Sequence, residues 1–364
     1  MALKHLEAYR DAEIAEKLIE KIKAAGTRKI RLMEVCGTHT VSIFRSGIRS
    51  VLPETITLLS GPGCPVCVTS QGEIDAFIEL SKTENVIITT FGDLMRVPGT
   101  VSSLQKERGA GRDIRMVYST MDALDIARNN PDRQVVFLGV GFETTAPTIA
   151  ASVLTAKETG VSNFSVISTH KLVPPALSAL TASDVVNIDG FILPGHVSVI
   201  IGTEAYRPFF EASGIPCVVA GFEPTDILQG ISILAEQIHS GVPRLENAYR
   251  RAVTPEGNRK AQQILNIVFE SGDAEWRGIG TIPTSGLKLK EAFAGFDAVK
   301  RFHIKAPKAE EPKGCACGEI LLGVKTPPEC PFYKKKCTPM DPVGPCMVST
   351  EGTCAAYYRY HMEP

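Results

Sequence analysis

The 364-residue sequence contains no run close to the roughly 18 consecutive apolar residues that a membrane span needs, so no membrane association is expected. It also lacks an excess of charge. Its 39 Lys and Arg stand against 40 Asp and Glu, a net −1, which implies neither a basic face for nucleic acid nor an acidic tail. The one basic run, Lys334-Lys335-Lys336, reads as a solvated loop. The first two dozen residues have helical spacing and several acidic side chains but no small-residue cleavage site, so neither a signal nor a transit peptide is expected, and the compartment expected is the cytoplasm. No Gly-Lys-Ser/Thr phosphate loop occurs. Gly139-Val140-Gly141-Phe142-Glu143-Thr144-Thr145 lacks the third glycine of a dinucleotide fingerprint, and is expected instead to be a polar turn lining a cleft.

What the chain does have is sulfur. Six of its ten cysteines fall in the last fifty residues, spaced Cys315-x-Cys317-x12-Cys330-x6-Cys337-x8-Cys346-x7-Cys354. In an intracellular setting such crowding points to a metal, an iron–sulfur cluster or thiol redox rather than structural disulfides. Prolines at 327, 328, 331, 339, 342 and 345 break any long helix there, so the tail needs another source of order, which bound metal can supply. Zinc sites favour paired C-x2–4-C knuckles, and only Cys315-x-Cys317 is a close pair. A [4Fe–4S] cluster is therefore expected, with zinc as the alternative; the spacing leaves open which four thiolates bind.

Three more cysteines lie in two short turns. Cys64-Pro65-Val66-Cys67 falls between an expected strand and an expected helix, where a helix N-terminus favours the thiolate, and Gly61-Pro62-Gly63 is expected to expose the sulfurs. Cys36 and His39 follow an expected strand, as ligand-binding residues do at the carboxyl edge of a parallel sheet. His196, in Pro194-Gly195-His196-Val197-Ser198, and His170 each follow another strand, where a satisfied structural histidine is the commoner case. Cys217 reads as a small buried hydrophobe.

Apolar runs over 30–35, 55–59, 85–90, 114–118 and 134–140 alternate with helical stretches over 73–81 and 121–129. A second set follows, with strands over 164–168, 190–193 and 216–220 and helices over 145–158, 175–182 and 225–239. This predicts an α/β fold: two adjacent parallel-sheet α/β domains facing a cleft, 27–141 and 142–241. A loop-rich, cysteine-rich iron–sulfur domain over 242–364 is expected to pack with the N-terminal helix, 1–26, whose periodicity spans 2–25.

The combination of Cys36-Gly-Thr-His-Thr, Gly61-Pro-Gly-Cys-Pro-Val-Cys67, Gly141-Phe-Glu-Thr-Thr-Ala-Pro147, Pro194-Gly-His196-Val-Ser and the six-cysteine tail resembles the HypD family of [NiFe]-hydrogenase maturation proteins over nearly the whole length. The resemblance implies a metallocentre-assembly scaffold rather than a conventional turnover enzyme. On it the Fe(CN)2CO group of the hydrogenase large subunit would be built with two partners, HypC, which shares the iron, and HypE, which delivers cyanide. It implies Cys36 as the iron ligand and Cys64/Cys67 as a redox pair. A further likeness of the cluster surroundings to ferredoxin:thioredoxin reductase projects Cys315, Cys330, Cys337 and Cys354 as ligands of the [4Fe–4S] cluster and Cys317/Cys346 as an adjacent dithiol. His39 and His196 would orient groups or move protons. Two rival classes remain on the sequence: a [4Fe–4S]-dependent thiol–disulfide oxidoreductase acting on a protein, and a zinc-stabilised binding module.

Overall fold

A computed structural model describes residues 11–26, 28–183, 185–305, 307 and 309–361. The fold is α/β, with two parallel sheets, an antiparallel hairpin and a cysteine-rich C-terminal region. Strands β1 (Ile30–Glu34), β2 (Ile56–Ser60), β3 (Val86–Thr90), β4 (Ile114–Met116), β5 (Gln134–Gly139), β6 (Phe164–Ser168), β7 (Gly190–Pro194) and β8 (Cys217–Ala220) fall within two residues of the expected runs, and β9 (Leu245–Asn247) is an unforeseen ninth. One sheet runs β2-β1-β7-β8-β9 and the other β4-β3-β5-β6. All their pairings are parallel. β3 and β7 are buried along their whole length, as parallel strands covered by helices on both faces must be.

The strands do not sort along the expected division at 141/142. β1 and β2 pair with the later β7 and β8, and β6 joins the earlier β3–β5. The reason is register over long range. β1 offers Leu32, Met33 and Glu34 to Gly190, Phe191 and Ile192, a pairing that local periodicity does not encode. The segment from β3 to β6 is thus inserted between β2 and β7.

Local chemistry places the helices. Helix Gln71–Ser81 starts on a Ser70/Glu73 capping box. Helix Pro224–Ser240 starts on Pro224 with an Asp226 box and stops at Gly241, whose φ of 69° suits glycine. The expected N-terminal helix over 2–25 falls partly outside the described residues; its described part, Ala12–Ala25, is capped by Asp11. Its apolar face, with Leu18, Ile19 and the fully buried Ile22, joins the cluster of helix Pro224–Ser240 and the five-stranded sheet, not the cysteine-rich tail with which it was expected to pack.

Unforeseen elements are helix Arg259–Val268 and the hairpin of β10 (Phe269–Trp276) and β11 (Gly280–Leu289), which bulges between Gly272 and Ala274. The hairpin's inward residues Phe269, Leu287 and Leu289 close the core under the four-stranded sheet. The tail is no appendage. Cys317, Cys330, Cys337, Cys346 and Cys354 share one apolar cluster with Met33, Leu59, Leu138 and Phe191 of both sheets.

Candidate sulfur centre at the sheet edges

Four turns leave the carboxyl ends of adjacent strands of the five-stranded sheet. β2 leads to Cys64, β1 to Cys36, β7 to His196 and β8 to Phe222. Parallel topology therefore brings together residues far apart in sequence.

Cys36 has extended backbone (φ −151°, ψ 121°) and precedes helix Gly37–Arg45. Its N–H donates to Glu34 Oε2 at 3.0 Å, and the Thr40 hydroxyl donates to the other oxygen, so one buried carboxyl pins both ends of the loop. Burial pushes Glu34 up to about 7 despite these hydrogen bonds. Burial likewise pushes the Cys36 thiol up to about 12; the nearby Glu351 and Glu34 carboxyls add to this, and the N–H groups of His39 and Thr38 oppose it. The resting thiol is protonated. A soft cation that displaces the proton would create the ligand it needs.

His39 is fully buried and donates from Nε2 to the Gly221 carbonyl at 2.8 Å, which leaves Nδ1 a bare acceptor without a partner. Burial drops its pKa to about 4, so the ring is neutral. It rests on Phe222 at 4.8 Å between centroids, and the solvent-exposed His196 stacks on Phe222 at 3.9 Å. The covered face lowers His196, while Glu351 pulls it up. Glu351 also accepts from Thr38 Oγ1 at 2.6 Å, which fastens the tail to the Cys36 loop.

Cys64 and Cys67 are joined by a disulfide. Their turn is anchored by Gly61 N–H to Glu34 O (2.8 Å) and by Gly37 N–H to Gly63 O (3.0 Å). Gly63 lies so close that a Cβ there would sit 2.1 Å from Cys36 N, so only glycine lets the two cysteine turns touch. The sulfurs, expected at the surface, are buried at 3% and 0% exposure. The tail covers them: Cys67 Sγ is 4.0 Å from the Pro345 carbonyl oxygen, at the start of helix Pro345–Val348.

In that tail Cys315, Cys317, Cys330, Cys337 and Cys354 ring a small enclosed cavity completed by Ile320, Tyr333, Gly344 and Met347. A Cβ on Gly344 would lie 2.9 Å from Cys317 Sγ and 3.1 Å from Cys315 Sγ. Val343 N–H donates to Cys337 Sγ at 3.3 Å, and Cys354 N–H donates to Cys346 Sγ at 3.3 Å. Hydrogen bonds with Cys317 and Cys354 pull Cys346 well down, and hydrogen bonds with Cys317 and Cys346 drive Cys354 up. A hydrogen bond with Cys317, then burial, raises Cys315, and burial raises Cys337. The cavity brings together the four expected cluster ligands and Cys317 as well, while Cys346 hydrogen bonds with both Cys317 and Cys354, so the geometry does not divide the six thiols into ligands and dithiol. The donor set is all thiol, dry and served by backbone N–H groups, which fits an iron–sulfur cluster and not a hard cation. Among the described residues no three His, Cys, Asp or Glu side chains close in as a single-ion site; the thiols surround a space rather than a point.

The turn 139–145 holds no phosphate cradle: a Cβ on Gly141 would overlap Thr145 Oγ1, which fills the place. Cys217 is buried in β8, as expected for a small hydrophobe, and donates its S–H to Ile215 O. Sequence reasoning missed Glu34, Glu351 and Phe222. A carboxylate ending an otherwise apolar strand, two residues before Cys36, was the available signal for Glu34; Glu351 and Phe222 had none.

The family model for HypD, described as the "Hydrogenase formation hypA family", matches residues 13–361. The chain is 45% identical over 367 residues to the hydrogenase maturation factor HypD of Azotobacter vinelandii, covering 98% of this chain and 97% of that protein. It is 47% identical to the one from Rhizobium leguminosarum bv. viciae (98% and 96% covered) and 44% identical to that of Cupriavidus necator (98% and 97%).

Proposed function

The chain belongs to the HypD family of hydrogenase maturation factors, and on that premise we propose that it is the scaffold on which the Fe(CN)2CO group is assembled. The iron, as cargo, is held between Cys36 and the N-terminal cysteine of HypC. HypE brings the cyanide, and the finished group passes to the hydrogenase large subunit. The observation that carries this reading is the backbone contact of the Cys36 and Cys64–Cys67 turns at one sheet edge, with the tail cysteines directly behind.

The side chains divide the work. Cys36 gives up its proton to bind iron. Glu34 holds the Cys36 and Thr40 ends of the loop in place. His39, neutral and fixed by Gly221, offers Nδ1 to a donor in the cleft, and His196, whose charged form the Glu351 carboxylate favours, moves protons at its open side. Cyanide bound as thiocyanate takes up two electrons when its sulfur–carbon bond opens to thiolate and cyanide. Cys64 and Cys67 match this count: closing the dithiol to the disulfide releases two electrons and two protons. Cys317 and Cys346, hydrogen-bonded within the tail, would serve as a second thiol pair. A [4Fe–4S] cluster held by Cys315, Cys330, Cys337 and Cys354 supplies one-electron redox capacity when bound.

A thiol–disulfide oxidoreductase acting on a protein would need Cys64 or Cys67 at the surface, and burial of both disfavours that rival. The test is infrared spectroscopy of protein purified without oxygen together with HypC. Metal-bound CO and CN stretches are expected in the parent and absent in Cys36→Ala, with the tail's iron and sulfide content unchanged. Bands that persist in Cys36→Ala would refute the Cys36 assignment.

A further inference from the structure

The four-stranded sheet has its own carboxyl edge, and the function above makes no use of it. β5 leads into the turn bearing Glu143, and its neighbour β6 leads to His170. Both side chains are buried and both carry a polar atom with no partner. Glu143, 3% exposed, accepts from Val173 N–H at 2.9 Å through Oε1, and its Oε2 meets nothing. The Ser168 hydroxyl donates to Leu287 O at 2.7 Å, so it must accept from His170 Nδ1–H at 2.9 Å. His170 Nε2 is then a lone-pair acceptor, also without a partner. Two orphaned acceptors on adjacent turns are costly to leave dry, and they ask for a donor.

Glu143 lies in the wall of a cleft of about 370 Å³, within the size range of small-molecule sites. The cleft runs between helix Gly195–Ile201, helix Arg259–Val268 and the β10–β11 hairpin. Its walls are mainly apolar, with Leu172, Phe269 and Leu287 nearest the His170 side. Its charged lining residues among those described are both acidic, Glu143 at the buried end and the exposed Glu270 at the rim; none of the described Lys or Arg residues lines it.

We propose that this cleft is a binding site for a small organic cation, a primary ammonium or amidinium on a short hydrocarbon body, whose N–H groups satisfy Glu143. The hydrocarbon covers the Leu172–Leu287 wall, and the cation ionises the carboxyl that burial otherwise keeps half neutral. The site is separate from the cysteine centre and would explain why a carboxylate stands in a turn with no phosphate to bind.

The test uses the full-length protein, n-butylammonium as probe, and n-butanol and butyrate as neutral and anionic controls of matched length, all followed by ligand-observed NMR titration at pH 8. Saturable binding of butylammonium alone is expected, weakened about tenfold or more in Glu143→Gln. A second variant, Ala205→Trp, fills the cleft from its rim without altering the carboxyl and is expected to abolish binding. Equal affinity in parent and Glu143→Gln, n-butanol binding as tightly as the cation, or undiminished binding in Ala205→Trp would each overturn the assignment.

Discussion

Replacing Gly63 by alanine isolates the contact on which the sulfur centre rests. The new methyl would meet Cys36 N at 2.1 Å, Cys36 Cα at 2.4 Å and Val35 C at 2.4 Å, an ångström or more inside the 3.4 Å where ordinary Cβ contact begins. All three atoms are backbone at the end of a buried strand, so no flexible side chain can move aside. The turn must retreat instead. Forced overpacking costs about 1–3 kcal/mol. The Gly37 N–H to Gly63 O hydrogen bond goes with it, adding about 1 kcal/mol. Urea unfolding should therefore show Gly63→Ala destabilised by about 2–4 kcal/mol. Gly109→Ala is the matched control: nothing lies within 4 Å of its added methyl, it ends a helix, and stability should hold or rise by a few tenths of a kcal/mol. Because a displacement of about 1 Å between reacting groups can cost about 100-fold in rate, hydrogenase maturation in cells should fail in Gly63→Ala and persist in Gly109→Ala. A Gly63→Ala protein within about 0.5 kcal/mol of the parent, maturing hydrogenase normally, would show that the two cysteine turns do not need to touch.

Glu143 predicts a pH dependence. Its folded pKa of about 7 lies above the ordinary 4.5, so burial exacts no cost below pH 4.5, a growing cost as pH rises to 7, and a constant one beyond. Between pH 4.5 and 8, Glu143→Gln should gain about 3 kcal/mol relative to the parent in urea titrations; parallel profiles would refute the burial argument. Lys171, 1% exposed, donates to Glu73 at 2.8 Å, so Lys171→Met leaves that carboxylate with only its capping-box bond from Ser70 N–H and should cost about 3 kcal/mol; a change under 1 kcal/mol would show the pair to be dispensable. With the proposed cluster in place, the exposed but ordered turn at Lys334–Lys336 should resist trypsin, and stripping the iron anaerobically should make it cleavable, read by mass spectrometry; an equally resistant metal-free tail would show that its order comes from packing alone.

Much of the fold was legible because buried parallel strands announce themselves as short apolar runs. 164–168 and 134–140 needed little or no trimming, and the helices over 73–81 and 225–239 gained only a residue or two at their caps. The hairpin was hidden by its sequence: β10 reads Phe-Glu-Ser-Gly-Asp-Ala-Glu-Trp, with its large apolar residues only at the ends. Strand pairing was hidden by distance, since β1 finds β7 more than 150 residues later. The cysteines were visible as chemistry, but not their burial, which depends on how Pro345–Val348 folds over Cys67. Glu351 illustrates the remainder. Its partners Thr38 and His196 belong to the first turns of two helices that only the finished sheet brings near it.

That dependence on residues far downstream has a consequence for the order of biosynthesis. A ribosome exposes Cys36 and Cys64 early, yet β1 lacks its β7 neighbour, Thr38 lacks Glu351 and Cys67 lacks its Pro345 cover until those later residues have also been made. A polypeptide halted before Pro345 therefore carries the thiols of both turns without the contacts that bury and fasten them.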